Sequence, residues 1–288
     1  MILLNKKLFS PVFLTKPVII IFLLFSVYNA PALSQNLYDY EHSLKFASYL
    51  FETHQYKLAA EELERVVFIK PEDTAAKLKL IKSYRLSGNN EAAYNHLKTF
   101  NNIEKLPKEF SVEYIRIMLN SEDKQNCKSY LSSSKNLNTD DYNYFMLGTL
   151  ILSNKWDEAD HYIQKSNTSY SSYNSLINIY NEYKNSHFKN PFIAASMSAI
   201  IPGSGKFYTG RWRDGAVAFL FVSLNTWQAC RAFNKNGINS IYGWIFGTIS
   251  LTFYSANIYG SYKSALNFNK KILNNLHEKT LLIINSDN

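Results

Sequence analysis

The chain is poor in the residues that covalent stapling and most reaction chemistry need. Only two of its 288 residues are cysteine. Cys127 lies in a polar stretch and Cys230 in an apolar one, so a disulfide between them is not expected. None of the six histidines stands in an HExxH or CxxC setting, which leaves no predicted metal site. His42, His54, His96 and His161 are dispersed among helical stretches, and His187 and His277 flank the apolar region. The serine elbow G-x-S-x-G is missing. The stretch Pro202-Gly203-Ser204-Gly205-Lys206 ends like a phosphate-binding P-loop. That motif also needs a glycine where Ile200 stands and a hydroxyl where Phe207 stands, so nucleotide binding is not expected. A clustered Lys/Arg stripe is lacking too. The formal charge is +8, and +5 once the three lysines of residues 1–34 are set aside. Attraction to anionic lipid headgroups accounts for that better than a nucleic-acid partner. The absences together predict a non-enzyme with no cofactor.

One absence is positive information. From Asn236 to Tyr262 there is no acid or base except tyrosine, a run longer than the roughly 20 residues a helix needs to cross a bilayer. Gly215 to Cys230 is a second, shorter uncharged run, interrupted by Asn225 and Gln228. The residues between them suffice to turn the chain back, which predicts a two-helix membrane hairpin over 214–262. At the other end, Lys6, Lys7 and Lys16 precede the apolar run Val18 to Val27 and the small-residue boundary Ala32-Leu33-Ser34. This is the pattern of a secretory signal peptide over 1–34, or of an uncleaved anchor. No cysteine follows it, against a lipoprotein attachment. Export would place the middle of the chain in the periplasm of a bacterial envelope. The positive-inside rule pulls the other way. Lys206, Arg211, Arg213, Lys263, Lys270 and Lys271 lie at the outer ends of the hairpin, against Arg231 and Lys235 in its turn. Either a weak, partly interfacial insertion, or an orientation not set by the N-terminal segment, would resolve the conflict.

Between these ends the chain repeats. Phe46, Ala47, Leu50, Tyr56, Ala59, Leu63 and Val66 recur 34 positions later around Leu80, Ile81, Tyr84, Ala93, Leu97 and Phe100, with Gly88 at the turn. A degraded copy follows at Tyr114, Ile115, Met118, Cys127 and Leu131, where Cys127 takes the small slot of Ala59 and Ala93 and is predicted to pack. A fourth copy runs through Leu147, Gly148, Ile151, Trp156, Ala159 and Ile163, capped by a helix over Tyr173 to Tyr183 with apolar or aromatic residues at Leu176, Ile177 and Tyr180. The period and residue types resemble the tetratricopeptide family, over 35–187. The predicted fold class is all-α, a tetratricopeptide-type helical solenoid followed by the membrane hairpin. The resemblance implies a curved scaffold whose inner face holds a protein or peptide. Carried over by position, that face presents Ser48, Phe51, Lys82, Arg85, Arg116 and Phe145. The three cations would meet an acidic segment or a carboxylate, and the two phenylalanines would anchor apolar side chains. The asparagine pair of the family's carboxylate clamp is missing from this frame. The oligomeric state is not predicted.

The segment 188–213 is read as a glycine-rich interfacial loop and 263–288 as a polar tail. Pro202, Gly203, Gly205, Tyr208 and Gly210, followed by Asn257-Ile258-Tyr259-Gly260, are similar to a family of uncharacterised bacterial envelope proteins. Their pattern is P-G-x-G-x-x-Y-x-G, a membrane hairpin, then N-I-Y-G. Lys206 stands where glutamine is common in that pattern. The resemblance implies location rather than reaction. Two functions are compatible with these readings. One is a membrane-tethered adaptor binding a protein partner through its repeats. The other is a membrane component whose hairpin, with Asn225, Gln228 and Asn257, assists insertion or transport of other molecules.

Overall fold

The computed structural model describes residues 38–100, 102–121, 124–166 and 171–286. The predicted signal segment 1–34 lies outside the described residues. All regular structure among the described residues is helical, as thirteen α-helices and two short 3₁₀ segments. The chain divides into two compact units, with the boundary after Leu80.

In the first unit α1 (Tyr40–Glu52) and α2 (Tyr56–Ile69) fold back on one another across three residues. Ala47 and Ala59 are fully buried and let the helices approach, while Leu50, Leu63 and Val66 fill the seam. Asp39 caps α1, accepting a hydrogen bond from the His42 amide at 2.9 Å. Asp73 caps the start of α3 (Thr74–Leu86) through the Ala76 amide at 2.9 Å and also accepts from the Tyr40 hydroxyl. One position departs from the repeat pattern: Phe46 is half exposed, because Ala47 and Leu50 already fill the seam it was expected to share.

The second unit contains α4 (Asn90–Lys98), α5 (Lys108–Asn120), α6 (Lys124–Ser133), α7 (Thr139–Leu152), α8 (Trp156–Lys165) and α9 (Ser171–Asn185). Each packs on the next. The small and large slots of the repeat pattern are core positions here: Ala93, Leu97, Ile115, Cys127, Leu131, Leu147, Ile151, Ala159 and Leu176 are all buried. Cys127 packs in its slot with its thiol 3.6 Å from the Thr149 hydroxyl. Asn190 starts the next helix. Its side chain accepts from the Phe192 and Ile193 amides and Pro191 sits at the first turn of α10 (Pro191–Ile200). The short α11 (Ser204–Tyr208) lies inside the glycine loop.

Next comes the hairpin, α12 (Trp212–Asn236) and α13 (Ile241–Asn285), turned by Gly237 at φ 67° and capped by Ser240. The expected polar tail is not separate. It is the second half of α13, which continues for 45 residues and packs against α5, α7 and α9. The expectation of a membrane-crossing hairpin requires correction: no described helix is long and apolar enough to cross a membrane. Asn225, Gln228 and Arg231 interrupt α12, and Asn257 and Lys263 interrupt α13.

Candidate functional site

α5 and α7 are buried almost all round, at Phe110, Ser111 and Glu113 to Leu119 in the first and at Tyr144 to Leu152 in the second. A helix that packs on only one neighbour buries a single stripe. The second face of these two is covered by the end of α13, whose Leu276, Thr280 and Ile284 are fully buried at a spacing of four. Gly148 makes the approach possible, since a Cβ there would stand 2.7 Å from Ile284 Cδ1.

The end of α13 meets a dry charge cluster. Glu113 accepts from Arg85 Nε at 2.6 Å and from Arg116 Nη1 at 2.9 Å. The carboxylate is fully buried, and the two arginines are 5% and 9% exposed. One further donor of each guanidinium turns to α13. Arg85 Nη1 donates to Asn285 Oδ1 at 3.1 Å and Arg116 Nη2 to the Ser286 carbonyl at 3.1 Å. Asn120 and Asn285 exchange amide hydrogen bonds at 2.9 and 3.0 Å, and the Tyr144 hydroxyl donates to the Ile283 carbonyl at 2.9 Å. The last carbonyls of a helix have no partner within it and carry partial negative charge. Here they are capped from α5 and α7.

The structure thus brings Arg85 and Arg116 together, but on Glu113 and the chain's own last helix. Phe145 is 2% exposed, packed edge-on to Tyr144, and so is a core residue. Lys82 is half-buried one turn before Arg85 on α3. Ser48 and Phe51 belong to the first unit. There Lys79 donates to the Ser48 hydroxyl at 3.0 Å and lies 5.7 Å from the centre of the Phe51 ring. Sequence reasoning missed Glu113, Asn120 and Asn285. An acid three residues before Arg116 on one helix was the available signal for the first of them.

His277 lies farther back on α13, with Nε2 3.1 Å from Asn154 Oδ1. Burial, then the nearby Lys124 charge, holds its pKa below the ordinary histidine value. A group depressed on folding binds its proton more readily when unfolded, so its contribution is complete above about pH 6.5 and is lost as pH falls. The His277→Gln variant is expected to flatten the acid limb of stability between pH 7 and 5, measured by urea unfolding. An unchanged slope would show that His277 does not couple to folding.

The glycine loop forms a second built region. Gly203 has φ 90°, and a Cβ on it would stand 2.1 Å from the Gly215 carbonyl oxygen. The Gly205 amide donates to Ser198 Oγ at 2.9 Å, and that hydroxyl also bonds Ser261 at 2.7 Å. Thr209 meets Ser264 at 2.7 Å and Thr226 meets Ser250 at 2.6 Å. Tyr208 accepts the Asn190 amide at 3.3 Å and lies beneath Lys189, 4.6 Å from its ring centre. Gly210, at φ 78°, turns the chain into open space. Small and hydroxylated side chains therefore fill the interior between α10, α11, α12 and α13. Large apolar ones point outward, among them Ile200, Val217, Leu220, Leu224, Trp227, Ile241, Trp244 and Leu251. Among the described residues there is no group of three or more His, Cys, Asp and Glu placed to hold a metal.

Comparison with protein families, with curated proteins and with solved structures finds no match.

Proposed function

We propose that the chain is a non-catalytic scaffold of the bacterial envelope, held at a membrane surface by its hairpin and binding a protein partner through its helical pairs. The observation that carries this reading is the inversion of the hairpin, polar inside and apolar outside. Water-facing helices hide their apolar stripe. α12 and α13 display theirs, and contiguous exposed apolar patches of this kind mark a lipid or protein surface. The hairpin lies within the interface rather than across the bilayer, its apolar side chains in the acyl boundary and Lys206, Arg211 and Arg213 among headgroups. In that position the distribution of positive charge imposes no orientation, and export through the 1–34 segment stays compatible with a periplasmic location of the repeats. The tetratricopeptide-like pattern supports partner binding. With the Arg85 and Arg116 groove filled by α13, the partner meets the exposed apolar side chains of the first unit, Phe46, Tyr49 and Phe68. The alternative of a hairpin that itself assists insertion loses one of its three polar residues, because the Asn225 amide is spent on the Phe221 carbonyl of its own helix at 2.7 Å.

The four tryptophans provide the test. Trp212, Trp227 and Trp244 are exposed on the hairpin, whereas Trp156 is buried and stacked on Tyr183 at 3.8 Å. Full-length single-tryptophan variants are mixed with vesicles of brominated phosphatidylglycerol and phosphatidylcholine. The protein should float with the vesicles, with the three hairpin tryptophans quenched and Trp156 not. Protein left in the dense fraction with all four unquenched rejects the membrane reading.

A further inference from the structure

A cavity of about 410 Å³ opens between α11, the first turns of α12 and the first half of α13. Its size falls in the ordinary range for small-molecule sites. Asn257 lines it, 4% exposed, and neither its amide nitrogen nor its amide oxygen has a hydrogen-bond partner. A buried amide with both ends unsatisfied is rare in folded proteins, because desolvation is not repaid. Lys206 lines the same cavity. Its ammonium end lies over Gly260, where even a Cβ would come within 3.9 Å of Nζ. The carboxylate at the mouth, Asp214, is gripped by Arg211 through Nε at 2.7 Å and Nη2 at 2.6 Å. No carboxylate among the described residues lies within ion-pair distance of Lys206. The remaining wall is apolar. It includes Val217 and the Phe221–Phe253 ring pair, with centroids 4.7 Å apart, and it runs out onto the exposed face of the hairpin.

We propose that this cavity binds the acidic head of an amphiphile, with Lys206 and the Asn257 amide on the anion and Val217, Phe221 and Phe253 along its chain. One cation and one amide suit a single carboxylate or a phosphodiester. A nucleotide would leave several charges uncompensated against an apolar wall. Burial already pushes the Lys206 pKa below its ordinary value, which an arriving anion would reverse. The inference also gives a reason why the P-G-S-G-K loop and the N-I-Y-G segment meet: Lys206 comes from the first, Asn257 and Gly260 from the second. It is independent of vesicle binding, since a soluble carrier could have the same cavity.

The test is equilibrium binding of radiolabelled palmitate, and separately of radiolabelled phosphatidylglycerol, to the full-length chain in a neutral detergent. Phosphatidylcholine and cetyl alcohol serve as uncharged-head controls. Saturable, one-to-one binding of either acidic probe is expected, and which one binds identifies the source as a free acid or a phospholipid. Lys206→Met and Asn257→Leu should each weaken it about tenfold or more, and Arg231→Gln, at the far end of the hairpin, should not. Asn257→Leu removes the unsatisfied amide, so its melting temperature should equal or exceed that of the parent chain. Lys206→Met keeps the test decisive should the leucine variant fail to fold. The proposal is overturned by absence of saturable binding of both acidic probes, by equal binding of the controls, or by affinities that ignore both variants.

Discussion

Replacing Glu113 with alanine is expected to lower the stability of the second unit by about 3–5 kcal/mol, the range for removing one member of a buried ion pair. The reason lies in what remains. Arg85 and Arg116 are almost wholly out of water and share this one carboxylate, and arginine cannot shed its proton to escape. Glu113→Gln keeps the volume and an acceptor oxygen but not the charge, so it should cost less than alanine. The damage should appear first at the end of α13, because the same guanidinium groups hold Asn285 and Ser286. Urea unfolding gives the loss, and hydrogen exchange of the 276–286 amides gives its location. A loss under about 1 kcal/mol with unchanged exchange would mean that the cluster is wet and the arginines are solvated.

Gly205→Ala is the second large effect. Its Cβ would stand 1.9 Å from the Ala194 carbonyl oxygen and 2.8 Å from Ser198 Oγ. The obstacle is backbone, so no rotamer change relieves it, and α10 and α11 must separate. That sacrifices the bond from the Gly205 amide to Ser198 and, through it, the Ser261 contact. Overpacking costs about 1–3 kcal/mol even where side chains can yield, so a loss at or above the upper end, about 3 kcal/mol, is expected. Gly210→Ala is the control. Unlike Gly205 it has a positive φ, but nothing stands within 4 Å of its Cβ, and its cost should stay near the 1–2 kcal/mol of a left-handed non-glycine residue. Thermal melts of the two variants should differ by several degrees. Equal melting temperatures would show that the loop is loose enough to absorb the methyl group.

The helical pairs were legible because their packing is local. Ala47, Ala59, Ala93 and Cys127 recur at the close-approach positions, and Leu63, Leu97 and Leu131 at the seams; all seven are buried. Such contacts reach only across a short turn, so spacing along the chain determines them. Phe46 shows where the pattern overreaches, since periodicity marks a face but does not say how much of it a neighbour covers. The return of α13 into the groove was not legible. Its stripe, Leu276, Thr280 and Ile284, has the right spacing, but it is diluted by Asn274, Asn275, Glu278 and Lys279 and reads as a polar tail. The bonds that hold it join residues 139 to 200 positions apart, a separation that no local pattern encodes. Arg85 and Arg116 were singled out as cations on the inner face of the repeats; both are buried on Glu113 and the end of α13. That occupant could not be inferred, and Phe145 was read as an accessible anchor although its helix is buried almost all round.

α13 has a mechanical consequence. Forty-five residues of continuous helix extend about 68 Å at 1.5 Å per residue, with the apolar hairpin at one end and the Glu113 cluster at the other. No break in the helix separates them, so a tilt at the first end is passed along one continuous element to the second.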